Sequence, residues 1–402
     1  RVLVKVKGGF KVSPSRVKTD VKLNEFLFGL AFYPWLIAWL FTSTFYKDFI
    51  HPYGIIKIWE YVGLFFLLLK FMLGKSKIKS IIITPIILLI GFIVSYDNGN
   101  ASFVAYTLTL IYSSRDINFR NLVRNTMFCQ IGVVGTVIVS SLLGIIPNEL
   151  TLTYSGGVIR SRYGLGFNYT SFTPNYFLSI LLEYVYLKGE KYWTIKELFI
   201  CVLLNIVIYK YTDTRLTFIM VFILLLISFS RRFISINMNF KFLKYLLTLI
   251  YPIMAYMTYW LTARFDSRNS LLSLINNLLS QRLRFGQEGL RRYPLRLFGT
   301  HVQWDTSANS YFYVDSSYIN ILISYGTIIF FLTLISYSII MRKVIINRNK
   351  TLLIVLIFWS VRACIDPQLF LLWFNPFLFL IARTFLDERE GIGDDITYMR
   401  IE

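Results

Sequence analysis

Between Leu261 and Asp315 the chain carries Arg264, Arg268, Arg282, Arg284, Arg291, Arg292 and Arg296 and no lysine. A second polar segment, 147–172, carries Arg160 and Arg162, again without lysine. Either cation would serve as a generic surface charge, but only guanidinium offers a planar, permanently protonated fork that grips two phosphate oxygens at once. Arginine used alone therefore points to a phosphate or diphosphate ligand. The groups near these arginines that could move a proton are Asp305, Asp315 and His301. His51 and His301 are the only histidines, and Cys129, Cys201 and Cys364 are scattered, so neither a metal centre nor a disulfide framework is expected. No cofactor is called for.

The elements that must position these residues are membrane spans. The 402 residues are 55% hydrophobic with a mean hydropathy of +0.57, beyond the usual range of soluble domains. A net charge of +20 would suggest nucleic acid in a soluble protein, but here it sits in short loops between apolar runs and reads as membrane topology. Apolar runs lie near 26–46, 55–73, 79–96, 101–113, 122–147, 173–187, 196–210, 215–230, 242–260, 316–341, 351–363 and 368–383. The basic start places the N-terminus in the cytoplasm. Loops 74–79, 113–124, 188–196, 231–244 and 342–350 then fall inside, and all are basic. Segments 147–172 and 261–315 fall outside, so positive charge there needs a reason other than topology.

The expected fold class is all-α: a polytopic integral membrane protein of about twelve transmembrane helices. Residues 1–25 form a cytoplasmic basic N-terminus, 26–383 a single transmembrane domain and 384–402 a cytoplasmic tail. The opening RVLVKVKGGFKV alternates as a small hairpin around Gly8-Gly9 would, or is a frayed basic tail.

In the first outer loop, Arg160-Ser161-Arg162-Tyr163-Gly164-Leu165-Gly166-Phe167 precedes Thr173-Pro174-Asn175, a helix start whose amides could face an anion. In Thr212-Asp213-Thr214-Arg215, Arg215 either points toward phosphate, oriented by Asp213, or anchors the helix at the interface while Asp213 caps it. The stretch Ser280–Glu288 suggests a short helix along the membrane surface. Arg284, Glu288 and Arg292 are spaced to pair on one face of it, which leaves Arg282 as the better ligand candidate. Asp315-Ser316-Ser317-Tyr318 caps the next helix, or Asp315 is a general base or sugar ligand. Glu60 and Glu183 are intramembrane carboxylates, a rare occurrence.

Arg162 before Leu165-Gly166-Phe167, Pro174-Asn175, Thr214-Arg215, Leu279-Ser280-Gln281-Arg282 leading to Leu297-Phe298-Gly299, and Asp315-Ser316-Ser317-Tyr318 with Tyr325-Gly326 resemble, in order and sidedness, the Wzy-type bacterial polysaccharide polymerases. These share a superfamily with the O-antigen ligases. The resemblance covers 155–330. It implies a metal-independent glycosyltransferase at the outer face of the bacterial cytoplasmic membrane, acting in O-antigen, capsule or exopolysaccharide synthesis. Undecaprenyl-diphosphate-linked oligosaccharide would be both donor and acceptor, and a chain-length regulator and a flippase the implied partners, with no nucleic acid. Arg162, Arg215 and Arg282 are the implied diphosphate or transition-state arginines. Asp315 and His301 join them as catalytic candidates, and Arg160, Arg291, Arg296, Asn175, Tyr318 and Asp305 are candidate substrate-binding residues. Two alternatives stay open: a ligase of the same superfamily, for which His301 is the relevant residue, and a lipid-linked oligosaccharide flippase or transporter.

Overall fold

The computed structural model describes residues 14–73, 78–97, 102–155, 158–230, 241–305 and 311–385. The opening hairpin motif and the acidic C-terminal tail lie outside them. The chain is about three-quarters helix, 74%. Helix α1 (Pro14–Thr42) starts well before its apolar stretch and packs along α3 (Pro52–Leu73), with the single turn α2 (Lys47–Ile50) between them. Helices α4 (Ile78–Asp97), α5 (Phe103–Ser113) and α6 (Phe119–Leu142) follow, the last begun by the Asn118 side chain accepting from the Asn121 amide.

The mostly helical chain departs from all-α in segment 147–172. Strands β1 (Leu150–Ser155) and β2 (Val158–Tyr163) pair antiparallel, with Thr151 opposite Arg162 and Thr153 opposite Arg160. The local reason is in the sequence: Thr151 and Thr153 alternate with leucines before Gly156-Gly157, and Val158-Ile159 follow it, a hairpin signal. The period of two puts Arg160 and Arg162 on one face.

Beyond the hairpin run α7 (Phe172–Lys188), α8 (Ile195–Thr212), α9 (Arg215–Ser230), α10 (Lys241–Thr248) and α11 (Ile250–Ala263). Helix α8 opens on a reciprocal capping box between Thr194 and Glu197. The arginine-rich segment holds α12 (Ser270–Leu278) and α13 (Arg282–Arg292). After it come α14 (Ser317–Ser324), α15 (Gly326–Ile346), α16 (Lys350–Arg362) and a 3-10 segment, Pro376–Phe385.

Among the described residues, three helices are long and apolar enough to cross a membrane alone: Lys22–Thr42, Phe119–Leu142 and Gly326–Ile346. The α10–α11 pair, bent by 61°, would make a fourth. The expected run 316–341 is split at Tyr325, because Gly326 has φ +85°. A Cβ there would stand 2.3 Å from the Gly299 amide nitrogen and 2.4 Å from the Leu297 carbonyl oxygen. The loop passes so close because Thr327 and Ile328 donate their amides to the carbonyls of Arg296 and Leu297, completing the start of α15. The run expected at 368–383 begins instead as turns, and Asn375 bonds the Leu369 carbonyl there.

The interior is aromatic. Trp35, Trp39, Phe103 and Trp373 stack together, and Tyr176 lies on Phe374 with ring centroids 4.1 Å apart. Two charged residues inside the helices are accounted for by partners. Lys70 reaches Asp116 and the Ser113 carbonyl, and Glu60 accepts from Trp35 and Ser102. Glu183 is fully buried, and among the described residues neither carboxyl oxygen has a hydrogen-bond partner.

Candidate active site

Arg160 and Arg162 both reach from β2 to the turn between α8 and α9. Asp213, left-handed at φ 44°, closes α8 and turns its backbone outward. The Nε of Arg160 pairs with the Asp213 carboxylate, and its Nη2 donates to the Asp213 carbonyl at 2.6 Å. The hydrogen bond raises the Arg160 pKa and holds the Asp213 carboxyl below its ordinary range. Asp213, read from the sequence as orienting Arg215 or as a helix cap, closes α8 and binds Arg160 more closely than Arg215. Arg215 is 66% exposed and 3.9 Å from the other Asp213 oxygen.

Arg162 is held differently. Its Nε donates to the Thr212 carbonyl at 2.9 Å and its Nη2 to the Thr214 hydroxyl at 3.1 Å. Among the described residues no carboxylate lies within 4 Å of it. Burial lowers its pKa, neighbouring Arg160 and Arg282 push the same way, and only Tyr169 and Asp213 oppose them. A half-buried guanidinium with neutral partners, facing a second guanidinium, is a place for an anion.

Arg282 opens α13 after two consecutive left-handed residues, Ser280 and Gln281, with φ of 53° and 68°. Non-glycine residues adopt that region at a cost and are held there by surrounding bonds. Here the Asn276 side chain donates to Gln281 Oε1 at 2.7 Å and accepts the Arg284 amide at 3.1 Å. The turn thereby aims Arg282 inward. Its Nε donates to the Ile365 carbonyl at 2.5 Å and lies 3.6 Å from Asp315 Oδ2. Its Nη1 donates to the Leu279 carbonyl, and its Nη2 is 3.7 Å from Asp366 Oδ1. Burial works against the Arg282 charge, but the two carboxylates outweigh it and raise the pKa. Asp315, with 21% of its side chain exposed, has its pKa raised to about 6 by burial; Arg282 opposes the rise and Asp366 adds to it.

Asp366 and Arg362 were missed by the sequence reading. Asp366 Oδ2 lies 3.7 Å from Nε of Arg362, one helical turn earlier. Arg362 is completely buried and donates to Ser179 Oγ at 2.8 Å, to the Asn175 carbonyl at 3.0 Å and to Gln368 Oε1. The signal was available: an arginine at the end of an apolar run, four residues before an aspartate. The result is a line of alternating charge, Asp315–Arg282–Asp366–Arg362, whose Arg282 is felt electrostatically at Arg162. A tyrosine pair joins segments 147–172 and 261–315 near Arg282. The Tyr311 hydroxyl bonds Tyr169, and both feel the Arg282 charge.

The other expected residues lie elsewhere or are committed to the fold. Tyr318 is buried with its hydroxyl given to the Ser360 carbonyl, and Asn175 is buried with Oδ1 accepting from Thr217. Both side chains are committed to hydrogen bonds within the fold. Thr173, expected at an anion-facing helix start, is buried with its hydroxyl on the Gly164 carbonyl. His301 is exposed, and Asp305 pairs through its backbone with Phe312; neither is among the charges that set the Asp315 pKa. Arg291 and Arg296 are exposed. Arg292 pairs with Glu288 as its spacing suggests, and lies over the Phe312 ring.

The fold and site define a mostly helical protein whose apolar helices mark it as membrane-embedded, with an arginine–aspartate centre at their ends. No family, no curated protein and no solved structure matches the chain.

Proposed function

We propose that the protein is a polysaccharide polymerase of about twelve spans, joining undecaprenyl-diphosphate-linked repeat units at the outer face of the bacterial cytoplasmic membrane, with both termini in the cytoplasm. The reading rests on Arg162, a guanidinium without a carboxylate partner among the described residues and in the electrostatic field of Arg282. A diphosphate between them would supply the missing negative charge. Asp315, beside Arg282, takes the proton from the acceptor hydroxyl. The oxygen attacks the anomeric carbon of the donor chain, a new glycosidic bond forms, and the bond to diphosphate breaks. Its electron pair leaves on the diphosphate, where the charge that develops meets Arg162 and Arg282. A carboxyl titrating at about 6 is ionised at neutral pH yet basic enough to share a proton in the transition state. Asp366, Arg362 and Gln368 hold Arg282 and the Ile365 carbonyl in place.

The test is the length ladder of lipid-linked glycan in a null strain complemented with Arg162→Met, with the protein quantified in the membrane. Accumulation of single repeat units supports the polymerase. Full-length polymer that never reaches its usual acceptor replaces it with a ligase. Repeat units confined to the cytoplasmic leaflet replace it with a flippase, and a wild-type ladder removes Arg162 from the reaction.

A further inference from the structure

Helix α12 presents one side that none of the described residues covers. Leu271, Leu274 and Leu278 are 63%, 57% and 65% exposed, and their spacing puts them on a single stripe. The rest of the helix is fixed. The Asn269 side chain caps its first turn by accepting from the Leu271 and Leu272 amides, while buried Asn276 binds Gln281 and the Arg284 amide. The stripe is therefore a set feature, and three bare leucines on a rigid nine-residue helix are poorly served by water.

The neighbouring residues name the occupant. Helix α11, which ends at Ala263, carries exposed Tyr256, Met257 and Trp260, the composition of a lipid-facing helix reaching the headgroups. Only 264–269 separate it from α12, so α12 cannot leave the level of the membrane surface by more than about 20 Å. Exposed Arg264 and Arg268 stand in that link, Arg264 over the Trp260 ring, and exposed Arg284 follows. An apolar stripe flanked by arginines, continuous with an aromatic belt, matches acyl chains below and lipid phosphates above.

We propose that α12 lies in the outer leaflet of the bilayer, its leucine stripe embedded and its flanking arginines on lipid phosphates. The choice of leaflet rests on the topology proposed above; the embedding does not. Because α12 leads through the Ser280-Gln281 turn directly into Arg282, this anchor sets the depth of Arg282 at the lipid phosphates. A lipid-linked diphosphate can then reach it sideways without leaving the membrane.

The experiment uses the full chain in phosphatidylcholine nanodiscs, with Cys129, Cys201 and Cys364 replaced by serine and a bimane label at Leu274→Cys. A label at Leu226→Cys, 53% exposed on α9, gives the lipid-facing reference, and one at Asp266→Cys, in the exposed link, gives the aqueous one. Brominated phosphatidylcholine is expected to remove most of the emission at 274, as at 226, while iodide leaves it unchanged. Quenching by iodide and not by bromine would place α12 in water. Quenching by neither would mean that another protein, such as a second copy of the chain, covers the stripe. Either result overturns the proposal, and the same measurement at Leu278→Cys guards against a local effect of the label. Neither readout depends on catalysis, so failure here leaves the polymerase reading standing, and loss of that reading leaves the quenching result intact.

Discussion

Asp366 faces Arg282 across 3.7 Å with one carboxylate oxygen and Arg362 across 3.7 Å with the other. One aspartate thus joins a guanidinium in the exposed site to a guanidinium sealed inside the helices. Removing either arginine leaves that carboxylate half-compensated, but the consequences differ, because 16% of the Arg282 side chain is exposed and Arg362 is sealed.

Arg362→Met is expected to destabilise the protein by about 3–5 kcal/mol, since it strands a buried carboxylate and the Ser179 and Gln368 oxygens. Arg362→Lys should recover little, because one ammonium cannot reach acceptors spread over a planar fork. Thermal unfolding in detergent checks both variants. Wild-type melting for Arg362→Met would show that the line of charge adds nothing to stability.

Arg162 and Arg160 should separate activity from stability. Arg162→Met removes a guanidinium lacking a carboxylate partner, so melting stays unchanged or rises while polymerisation drops by about 10²–10³-fold. Arg160→Met breaks the clamp on the α8–α9 turn and lowers melting. The Asp213 carboxyl is depressed by that clamp, so its contribution is present at neutral pH and is lost as pH falls below the ordinary carboxylate range. Melting of both variants, with turnover of lipid-linked substrate, decides the assignment.

Asp315 gives a pH dependence of known sign. Polymerisation should rise as pH increases through about 6 and level off above it. Stability should move the other way. The folded pKa is above the unfolded one, the native state holds the extra proton between about 4 and 6, and stability falls across that window by at most about 3 kcal/mol. Asp315→Asn should remove both effects and reduce turnover by about 10²–10⁴-fold. A rate profile from pH 5 to 8 that keeps its rise in the Asn variant would assign the base elsewhere.

Gly326→Ala tests the close crossing of the arginine loop and α15. At φ +85°, with backbone atoms 2.3 and 2.4 Å from the new Cβ, the substitution is expected to cost about 1–3 kcal/mol or more and to loosen Leu297-Phe298-Gly299. Limited proteolysis within 294–304 should rise together with the drop in melting temperature.

The sequence alone determined where apolar chain had to become helix. Most of the runs read from hydropathy fall on described helices, three of them long and apolar enough to cross a membrane alone, because an apolar backbone away from water must satisfy its hydrogen bonds internally. It also determined that segments 147–172 and 261–315 carry arginine and no lysine, and that Arg284 and Arg292 share a helix face with Glu288. The β-hairpin was equally present, in the alternation around Gly156-Gly157, but its period-two signal is short and sat inside a loop assigned by topology. Only the tertiary structure decided which arginines are compensated. Arg160, Arg162 and Arg215 look alike in sequence, and their difference comes from one Asp213 carboxylate that reaches Arg160, leaves Arg162 without a carboxylate partner among the described residues and lies 3.9 Å from an exposed Arg215. Asp366 entered the site by the same route. Its neighbour Ile365 accepts from the Arg282 side chain at a sequence separation of 83, and no local pattern encodes a pairing of that range. Charge compensation depends on distances of 3 to 4 Å between side chains from separate elements, so it is fixed by packing rather than by spacing along the chain.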